Sequence, residues 1–399
     1  MSPGKKKILL LGGSYLQLPA IRMAKELGLY TILCDYLPDN PGKEFSDEYI
    51  NASTTDRERI LEIAKEKEID YVQAYAADSA APTAAYVSEK MGLPGNPFHA
   101  IKTLTEKHLF RKLLRDTGLN YPKGKSMTGE EIDEVHEMEL EYPLVVKPVD
   151  SSGSKGVSLI QSFSEFKTAA EYAISASRSR RIIVEEYVKA KGAQLHGDGF
   201  VVNGELTFIY LGDQHFNTEI NPFVPYTTTW PSVRPKETLE RIHNDINKVL
   251  QKSGFKHGAI NIEIRVTGEG EIYVMEIAPR SGGNFVPVLL KHATGYDMVE
   301  AGLKAAMGEK TENSEIFRKN ASYFVLHSPK NGVLKKILTD PKISSCIVEQ
   351  HQYVEAGETV HSFQNAGAAI GILLLLFPSR REMENIMRNI NEYVKVEVE

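Results

Sequence analysis

The sequence is poor in the features that mark secreted and membrane proteins. Its 399 residues include two cysteines, Cys34 and Cys346, so there is neither a disulfide framework nor a Cys-x-x-Cys pair. Cys34 lies in an apolar run and is expected in the core. The longest apolar stretch, Ala366 to Phe377, is too short to span a membrane and ends at a proline. It therefore predicts a buried strand or strand pair.

An excess of positive charge is also absent. The formal net charge is −6, which argues against nucleic acid or an anionic membrane as a partner. The apolar run after Lys7 is too short for a signal peptide, so a cytoplasmic protein is expected. With 42% apolar and 25% charged residues, the composition is that of a globular protein, and the length predicts two to four domains.

The first hundred residues alternate strand and helix patterns, which is typical of an α/β domain with an open parallel sheet. The predicted strands are Lys7–Leu11, Tyr30–Cys34 and Tyr71–Tyr75, and the predicted helices are Pro19–Leu27, Asp56–Glu66 and Pro82–Met91. A turn-rich segment from Gly92 to Pro97 ends this domain, which we assign to residues 1–96. The loop from Gly12 lacks two glycines of a dinucleotide fingerprint, although Asp35 ends the second strand as in nicotinamide-binding proteins.

The rest of the chain predicts two further domains, at residues 97–310 and 311–399. A helix is expected at Lys102–Thr117, strands at Leu144–Pro148 and Gly156–Gln161, a strand at Arg181–Val188, and a hairpin that turns at Asn203-Gly204. Residues 221–235 contain four prolines and predict a long loop without regular structure. After residue 311 the charge and strand patterns change again, which predicts a small closing domain.

An acidic hairpin is the most informative feature of the sequence. Residues 258–266 and 271–277 alternate apolar and polar side chains around a Gly-rich turn. If a four-residue turn pairs Val266 with Glu271, Glu263 faces Val274, and Glu276 is its diagonal neighbour on the same side. Two carboxylates on one face repel each other unless a cation lies between them, so the hairpin predicts a Mg²⁺ site, with a solvated acidic face as the alternative.

Two further motifs carry basic and small residues. Lys147 ends a strand in Val-Val-Lys-Pro and precedes a loop whose small residues let backbone N–H groups approach phosphate oxygens. The loop residues are Ser151, Ser152, Gly153, Ser154, Lys155 and Gly156. It is not a Walker loop, because a strand and not a helix follows it. Lys107 is near the start of the predicted helix, and taken by itself it is interpreted as an ordinary surface lysine.

A buried strand that ends in Glu185-Glu186-Tyr187-Val188 completes the set. It could present backbone groups and the Glu185 carboxylate to an adenine, or be an amphipathic strand with exposed acids. In order and spacing these pieces resemble the ATP-grasp superfamily over about residues 95–310. The segment Glu276-Ile-Ala-Pro-Arg280 is similar to that of phosphoribosylglycinamide and carboxyaminoimidazole ribonucleotide synthetases, and the broader chain is similar to carbamoyl-phosphate-synthase-like ligases.

The resemblance implies an N-terminal open parallel-sheet domain, a two-part ATP-grasp domain and a small C-terminal domain. It assigns Lys107 and Lys147 to ATP phosphates, the loop 151–156 to a cover over them, and the segment 185–188 to adenine. It further implies that Glu263 and Glu276 hold Mg²⁺, with Mn²⁺ as an alternative. Arg280, and with it Lys147, would be catalytic. Two departures are Gln194, where many members have a ribose-binding Glu, and Ala278, where many have a metal-binding Asn that water or Asn261 could replace.

The resemblance implies a ligase that activates a small carboxylic acid as an acyl phosphate for attack by an amine, with a homodimer as the default assembly. Alternatives are a purine-biosynthetic synthetase and a non-catalytic ATP-binding module. The residue pattern leaves the acceptor pocket open. Candidate lining residues are Tyr15, Asp78, Ser79, Tyr226 and the segment 281–284, and candidate histidines are His215 and His257, each of which could equally be structural.

Overall fold

The computed structural model describes residues 4–135, 139–217, 220–311 and 316–399. Its N-terminal part is an open sheet of four parallel strands in the spatial order β3-β2-β1-β4. The elements are β1 (Lys7–Leu11), α1 (Leu18–Glu26), β2 (Tyr30–Asp35), β3 (Glu48–Asn51), α2 (Arg57–Glu66), β4 (Tyr71–Gln73) and α3 (Ala81–Met91). This arrangement confirms the predicted α/β sheet and adds β3, which the sequence analysis missed.

Two helices replace the single helix predicted at 102–117, so that prediction was wrong. They are α4 (Phe98–Thr105) and α5 (Lys107–Asp116), separated by Glu106, whose backbone is extended at φ −89° and ψ 112°. The N–H of Lys107 donates to the carbonyl of Val149 at 3.0 Å. Because the first N–H groups of a helix lack intrahelical partners, this bond stabilises the break. It also fixes the first residue of α5 next to the small-residue loop.

A four-stranded antiparallel sheet, here called the small sheet, follows. Its elements are β5 (Gly124–Thr128), β6 (Leu144–Pro148), β7 (Ser158–Ile160), α6 (Phe166–Ser175) and β8 (Arg181–Glu186), and the strand order is β5-β8-β6-β7. Helix α6 packs its alanines and Phe166 against the buried side chains of the strands. The two strands predicted around the small-residue loop are confirmed, so Lys147 lies at the end of a central strand.

An eight-stranded sheet, here called the large sheet, forms the rest of the site. Its first part contains β9 (Gln194–Val202), β10 (Glu205–Phe216), β11 (Pro225–Trp230), α7 (Lys236–Ser253), β12 (Gly258–Val266) and β13 (Ile272–Ala278). The isoleucines at 260, 262 and 264 pack in one core with apolar residues of α7. Because side chains alternate along a strand, Asn261, Glu263 and Arg265 lie on the opposite face.

The C-terminal strands continue the large sheet. The remaining elements are α8 (Val286–Thr294), α9 (Met298–Ala306), β14 (Asn320–Leu326), β15 (Gly332–Thr339), α10 (Pro341–Ser344), β16 (Ile347–Gln352), β17 (Thr359–Val360), β18 (Gly371–Phe377), α11 (Arg380–Arg388), α12 (Ile390–Tyr393) and β19 (Val394–Val398). The large sheet runs β13-β12-β9-β10-β11-β14-β18-β16, while β17, β15 and β19 form a separate sheet. One sheet thus crosses residue 311, and the three-domain division remains a prediction.

The Pro-rich segment 221–235 is not the structureless loop that its prolines predicted. Residues 225–230 form β11, which pairs with β10 on one side and with β14 on the other. The run Tyr-Thr-Thr-Thr-Trp at 226–230 has high strand propensity, which outweighs the prolines at its ends. The apolar run near the C-terminus forms β18, as expected. Within the described part of the chain, no helix has the length and apolar character to cross a membrane.

Candidate active site

The acidic hairpin places Glu263 directly opposite Glu276. The predicted register, with Glu263 opposite Val274, was wrong for two reasons. Val266 pairs with Ile272 and not with Glu271, and a β-bulge between Glu263 and Ile264 leaves Met275 without a partner. A bulge adds one residue to one strand and shifts all later pairs. The two carboxylates are therefore direct cross-strand neighbours instead of diagonal ones.

The electrostatics of this pair are unfavourable in the protein alone. Burial and the charge of Glu276 raise the pKa of Glu263 to about 7, against the opposing effect of Arg265. Both glutamates remain partly exposed. Among the described residues no group of three or more His, Cys, Asp or Glu side chains is placed to hold a metal ion. A cation between the two carboxylates would fit their charge, but it would need further oxygen ligands from outside the protein.

Arg265 organises the residues beside the acidic pair, and sequence reasoning missed it. Its Nε donates to Gln194 Oε1 at 2.7 Å and its Nη1 to the carbonyl of Val188 at 2.9 Å. The guanidinium lies 4.9 Å from the ring centre of Tyr187. Gln194 Nε2 in turn contacts Glu263 Oε2 at 3.2 Å. The alternation that placed Glu263 on this face also places Arg265 there, so the signal was present in the sequence.

The end of β8 meets these residues from the small sheet. The N–H of Glu186 donates to the carbonyl of Lys123. Val188 follows the strand, and its N–H has no hydrogen-bond partner among the described residues. A backbone donor without a partner at a largely buried residue is uncommon. Val188 is one of the positions that the sequence assigned to adenine.

The carboxylate of Glu185 is buried between two cationic side chains. Its Oε1 accepts from Arg111 Nε at 2.6 Å, and its Oε2 lies 2.6 Å from Lys147 Nζ. Burial would raise the pKa of Glu185, but the two cations outweigh it and lower that pKa to about 2. Burial also lowers the pKa of Lys147 to about 8, although Glu185 opposes this shift. The side chain of Glu185 thus fixes Lys147, and an adenine would meet the backbone of this segment.

Arg111 connects the small sheet to the acidic hairpin. Besides Glu185, it binds the carbonyl of Met275 through Nη1 at 2.8 Å, one residue before Glu276. Sequence reasoning missed Arg111, yet it lies four residues after Lys107 on α5, and residues at that spacing share one helix face. One buried guanidinium therefore sets the distance between the lysine side and the acidic side of the site.

A cavity of about 580 Å³, here called the front cavity, brings several of the predicted residues together. Lys107, Ser151, Ser152 and Glu276 line it, and Ala278 is in its wall. Lys107 Nζ donates to the carbonyl of Ser151 at 2.9 Å. The front cavity is within the size range of ligand pockets and has a lysine and a carboxylate on its walls.

The small-residue loop packs against distant parts of the chain. Gly153, Ser154 and Gly156 all have positive φ angles, which Ser tolerates poorly. Ser154 Oγ donates to the carbonyl of Phe223 at 2.7 Å. Lys155 is exposed. The loop is thus bonded to the segment that precedes β11.

Arg280 links the large sheet to the N-terminal sheet. Its Nε and Nη2 donate to the two carboxylate oxygens of Asp78 at 2.6 and 2.8 Å, and its Nη1 donates to the carbonyl of Ser281. Arg280 lowers the pKa of Asp78 even though burial alone would raise it. Asp78 and Ser79 also line the front cavity. The loop after β4, one of the proposed acceptor segments, is therefore part of the site.

A buried polar network lies beside Arg280. Asp198 accepts from Asn261 Nδ2 and from the N–H of Gly282, both at 2.7 Å. Burial raises the pKa of Asp198 to about 6 and lowers that of His196 to about 3. A Cβ at Gly282 would lie 2.6 Å from Asp198 Oδ1, so this position requires glycine. Asn261, suggested as a substitute metal ligand, takes part in this network.

The remaining candidate residues do not line the front cavity. His215 Nε2 contacts Thr229 Oγ1 at 3.2 Å, and His257 Nδ1 accepts from the N–H of Asn203. Tyr226 packs against Phe324 and His327 in the C-terminal strands. Tyr15 stacks on Tyr353 at 4.8 Å between ring centres. Each of these contacts is an ordinary structural one.

The fold and site together define a class of protein. Residues 140–287 match the family model described as the ATP-grasp domain. The parallel N-terminal sheet and the large antiparallel sheet agree with that fold, which confirms the predicted fold class. The match covers the strands β6, β7 and β8 of the small sheet, the loop 151–156, and the hairpin with Glu263 and Glu276.

Similar proteins extend over most of the chain. An uncharacterised protein y4rH of Sinorhizobium fredii is 26% identical over 330 residues, covering 80% of this chain and 66% of the relative. The carbamoyl phosphate synthase large chain of Thermoanaerobacter pseudethanolicus is 25% identical, covering 83% of this chain. The chain spans about two thirds of the first relative and 31% of the second.

Solved structures share the fold over the whole chain. The L-amino acid ligase from Bacillus licheniformis superimposes with a TM-score of 0.85 at 20% identity, covering 100% of both chains. Phosphoribosylglycinamide synthetase from Anaerococcus prevotii superimposes with a TM-score of 0.76 at 19% identity, covering 99% of this chain and 100% of the other.

Proposed function

We propose that this protein is an ATP- and Mg²⁺-dependent ligase that activates a carboxylic acid as an acyl phosphate for attack by an amine. One observation carries the proposal above the others. Glu263 lies opposite Glu276, and Glu276 and Lys107 line the same cavity. A pair of carboxylates opposite a lysine fits a metal–phosphate group better than a free anion or a neutral ligand.

Nucleotide binding would use both sheets. The unpartnered N–H of Val188 would donate to an acceptor nitrogen of adenine, and Gln194, which is bonded to Arg265, would contact the ribose. Lys107 and Lys147 would contact phosphate oxygens, with Lys147 oriented by Glu185. The N–H groups of the loop 151–156 would cover the phosphates and exclude water.

The reaction follows from the weakness of a carboxylate as an electrophile. A carboxylate oxygen attacks the γ-phosphorus of ATP, the bond to ADP breaks, and an acyl phosphate forms. The amine then attacks the acyl carbon, phosphate leaves, and the nitrogen loses a proton. Mg²⁺, held by Glu263 and Glu276, would neutralise phosphate charge during the transfer. Lys147 and Arg280 would stabilise the charge that develops around the transferred group.

The decisive measurement is acid-dependent release of ADP, with hydroxylamine present to trap an acyl phosphate as a hydroxamate. We expect ADP and hydroxamate to form in equal amounts with at least one acid in a broad panel. ATP binding without acid-dependent turnover in any acid–amine pair would instead favour the binding-module alternative.

The similarity to phosphoribosylglycinamide synthetase supports one narrower alternative, a purine-biosynthetic enzyme. Turnover with phosphoribosylamine and glycine, or with aminoimidazole ribonucleotide and bicarbonate, would support it. A cytoplasmic location and a homodimer remain part of the proposal, and gel filtration tests the second.

A further inference from the structure

A second cavity, here called the rear cavity, lies behind Arg280. Its volume is about 610 Å³, and it lies between β4 and α3 on one side and α9 and the ends of β9 and β12 on the other. None of the residues assigned to ATP or metal lines it, whereas Arg280, which was assigned a catalytic role, does. This size is ample for a small organic molecule.

An ion pair connects the wall of the rear cavity to that of the front cavity. Arg280 lines the rear cavity, and Asp78 lines the front cavity. The pair uses two N–H groups of Arg280, and the carbonyl of Ser281 uses a third. A guanidinium has five N–H donors, so two remain for a ligand. A carboxylate bound there would lie beside the cavity that contains Glu276.

The walls of the rear cavity are mostly small and apolar. Ala81, Ala84 and Ala85 of α3 face Ala305 and Ala306 of α9, and Phe200 lines it from β9. Among the described residues that line it, the one carboxylate is Glu309, which is exposed at the rim. A mostly apolar wall without a buried acid favours an apolar group over an ammonium group.

One polar group in the wall lacks a partner. Gln73, the last residue of β4, has a buried Oε1 without a hydrogen bond among the described residues. Buried polar atoms are normally hydrogen-bonded, so this group points to a missing ligand or water. An N–H or O–H group on the ligand would satisfy Gln73.

We infer that the rear cavity binds the body of the carboxylic acid that is activated, and that this acid carries an apolar side chain and one hydrogen-bond donor. Its carboxylate lies at Arg280, next to the front cavity where phosphate is transferred. The inference rests on the proposed ligase function, since it assigns a substrate class to that same reaction.

The test combines a graded panel of acids with a variant that fills the cavity. Acids of increasing apolar side-chain size, with and without an α-amino or α-hydroxyl group, are assayed by ADP release. Ala305→Phe projects a large ring into the cavity, and Ala305→Leu does so more mildly. Ala356→Phe makes the same change at an exposed turn distant from both cavities. Binding of MgADP, followed by thermal shift, confirms that each variant is folded.

We expect the wild type to prefer acids with large apolar side chains. Ala305→Phe should lower kcat/KM for these acids about 10-fold or more. It should lower kcat/KM for the smallest acid far less, because the volume of a pocket limits which side chains it accepts. Gln73→Leu should raise KM for the acid without affecting MgADP binding, because it removes the buried acceptor Oε1. Equal losses for small and large acids in Ala305→Phe, or a wild-type preference for the smallest or charged acids, would overturn the inference.

A failure of the ligase proposal would be recognised separately. If no acid promotes ADP release, the same panel is tested by thermal shift in the presence of MgADP. A shift with apolar acids that disappears in Ala305→Phe would retain the rear cavity as a binding site without the ligase reaction. No shift with any acid in the wild type would reject the site.

Discussion

On the small sheet, the carboxylate of Glu185 lies between two cations, whereas on the large sheet Glu263 and Glu276 face each other. The first arrangement is balanced in the protein alone, and the pKa of Glu185 falls to about 2. The second is not, and the pKa of Glu263 rises to about 7. The lysine side is thus organised before any ligand binds, while a bound cation would stabilise the acidic side.

The largest effect should come from breaking the balanced side. Arg111→Met leaves Glu185 with one cation and frees the carbonyl of Met275, so we expect a loss of about 3–5 kcal/mol in the free energy of unfolding. Arg111→Lys should restore part of it, because it keeps a charge next to Glu185. Urea denaturation of both variants provides the measurement. Equal stability of Arg111→Met and wild type would show that the contacts of Arg111 with Glu185 and Met275 do not stabilise the fold.

Breaking the acidic side should act on catalysis instead. Glu276→Gln should lower kcat about 10²–10³-fold, the range found when one group that stabilises transition-state charge is removed. Added Mg²⁺ should restore little of the lost kcat. Glu269→Gln, at the exposed tip of the same hairpin, is the matched control and should keep wild-type activity. A Glu276→Gln enzyme with unchanged kcat would rule out the metal assignment.

The repulsion itself has a signature in pH dependence. Because the folded state raises the pKa of Glu263 from an ordinary 4.5 to about 7, its contribution to stability is present at low pH and is lost as pH rises through this window. Glu263→Gln removes the titrating carboxylate and therefore this loss of stability at higher pH. In the absence of Mg²⁺ we therefore expect its Tm to exceed that of wild type by about 2–4 °C at pH 8 and by less at pH 5.

Scanning calorimetry at both pH values, in buffer with a chelator, measures this difference. MgADP should raise the Tm of the wild type more than that of Glu263→Gln. The same Tm difference at pH 5 and pH 8 would show that Glu263 does not titrate between them.

The smallest effect concerns the loop that joins the two sides. Ser154→Ala removes the hydrogen bond to Phe223, which is worth about 0.5–1.5 kcal/mol. We expect KM for ATP to rise a few-fold with kcat little changed, since the loop would close less often over the phosphates. Steady-state kinetics at varied ATP tests this, and Ser164→Ala, on an exposed turn, is the control.

Much of this arrangement could be predicted from local patterns. The alternation in β12 and β13 placed two glutamates on one face, and the run of βα units predicted the parallel sheet. The predicted register failed because nothing local marks the bulge at Met275. The strand β11 was missed because its prolines argued for a loop, whereas pairing on both edges stabilises it.

The chain by itself determined which side chains are available and which face of each strand or helix carries them, since those periodicities are set by the backbone. Only the tertiary structure decided which groups meet. Arg111 and Glu185 are separated by 74 residues, and Asp78 and Arg280 by 202. A local pattern contains no information on such pairs. They form because packing the sheets and α5 together removes these charges from water, where each must find an opposite charge.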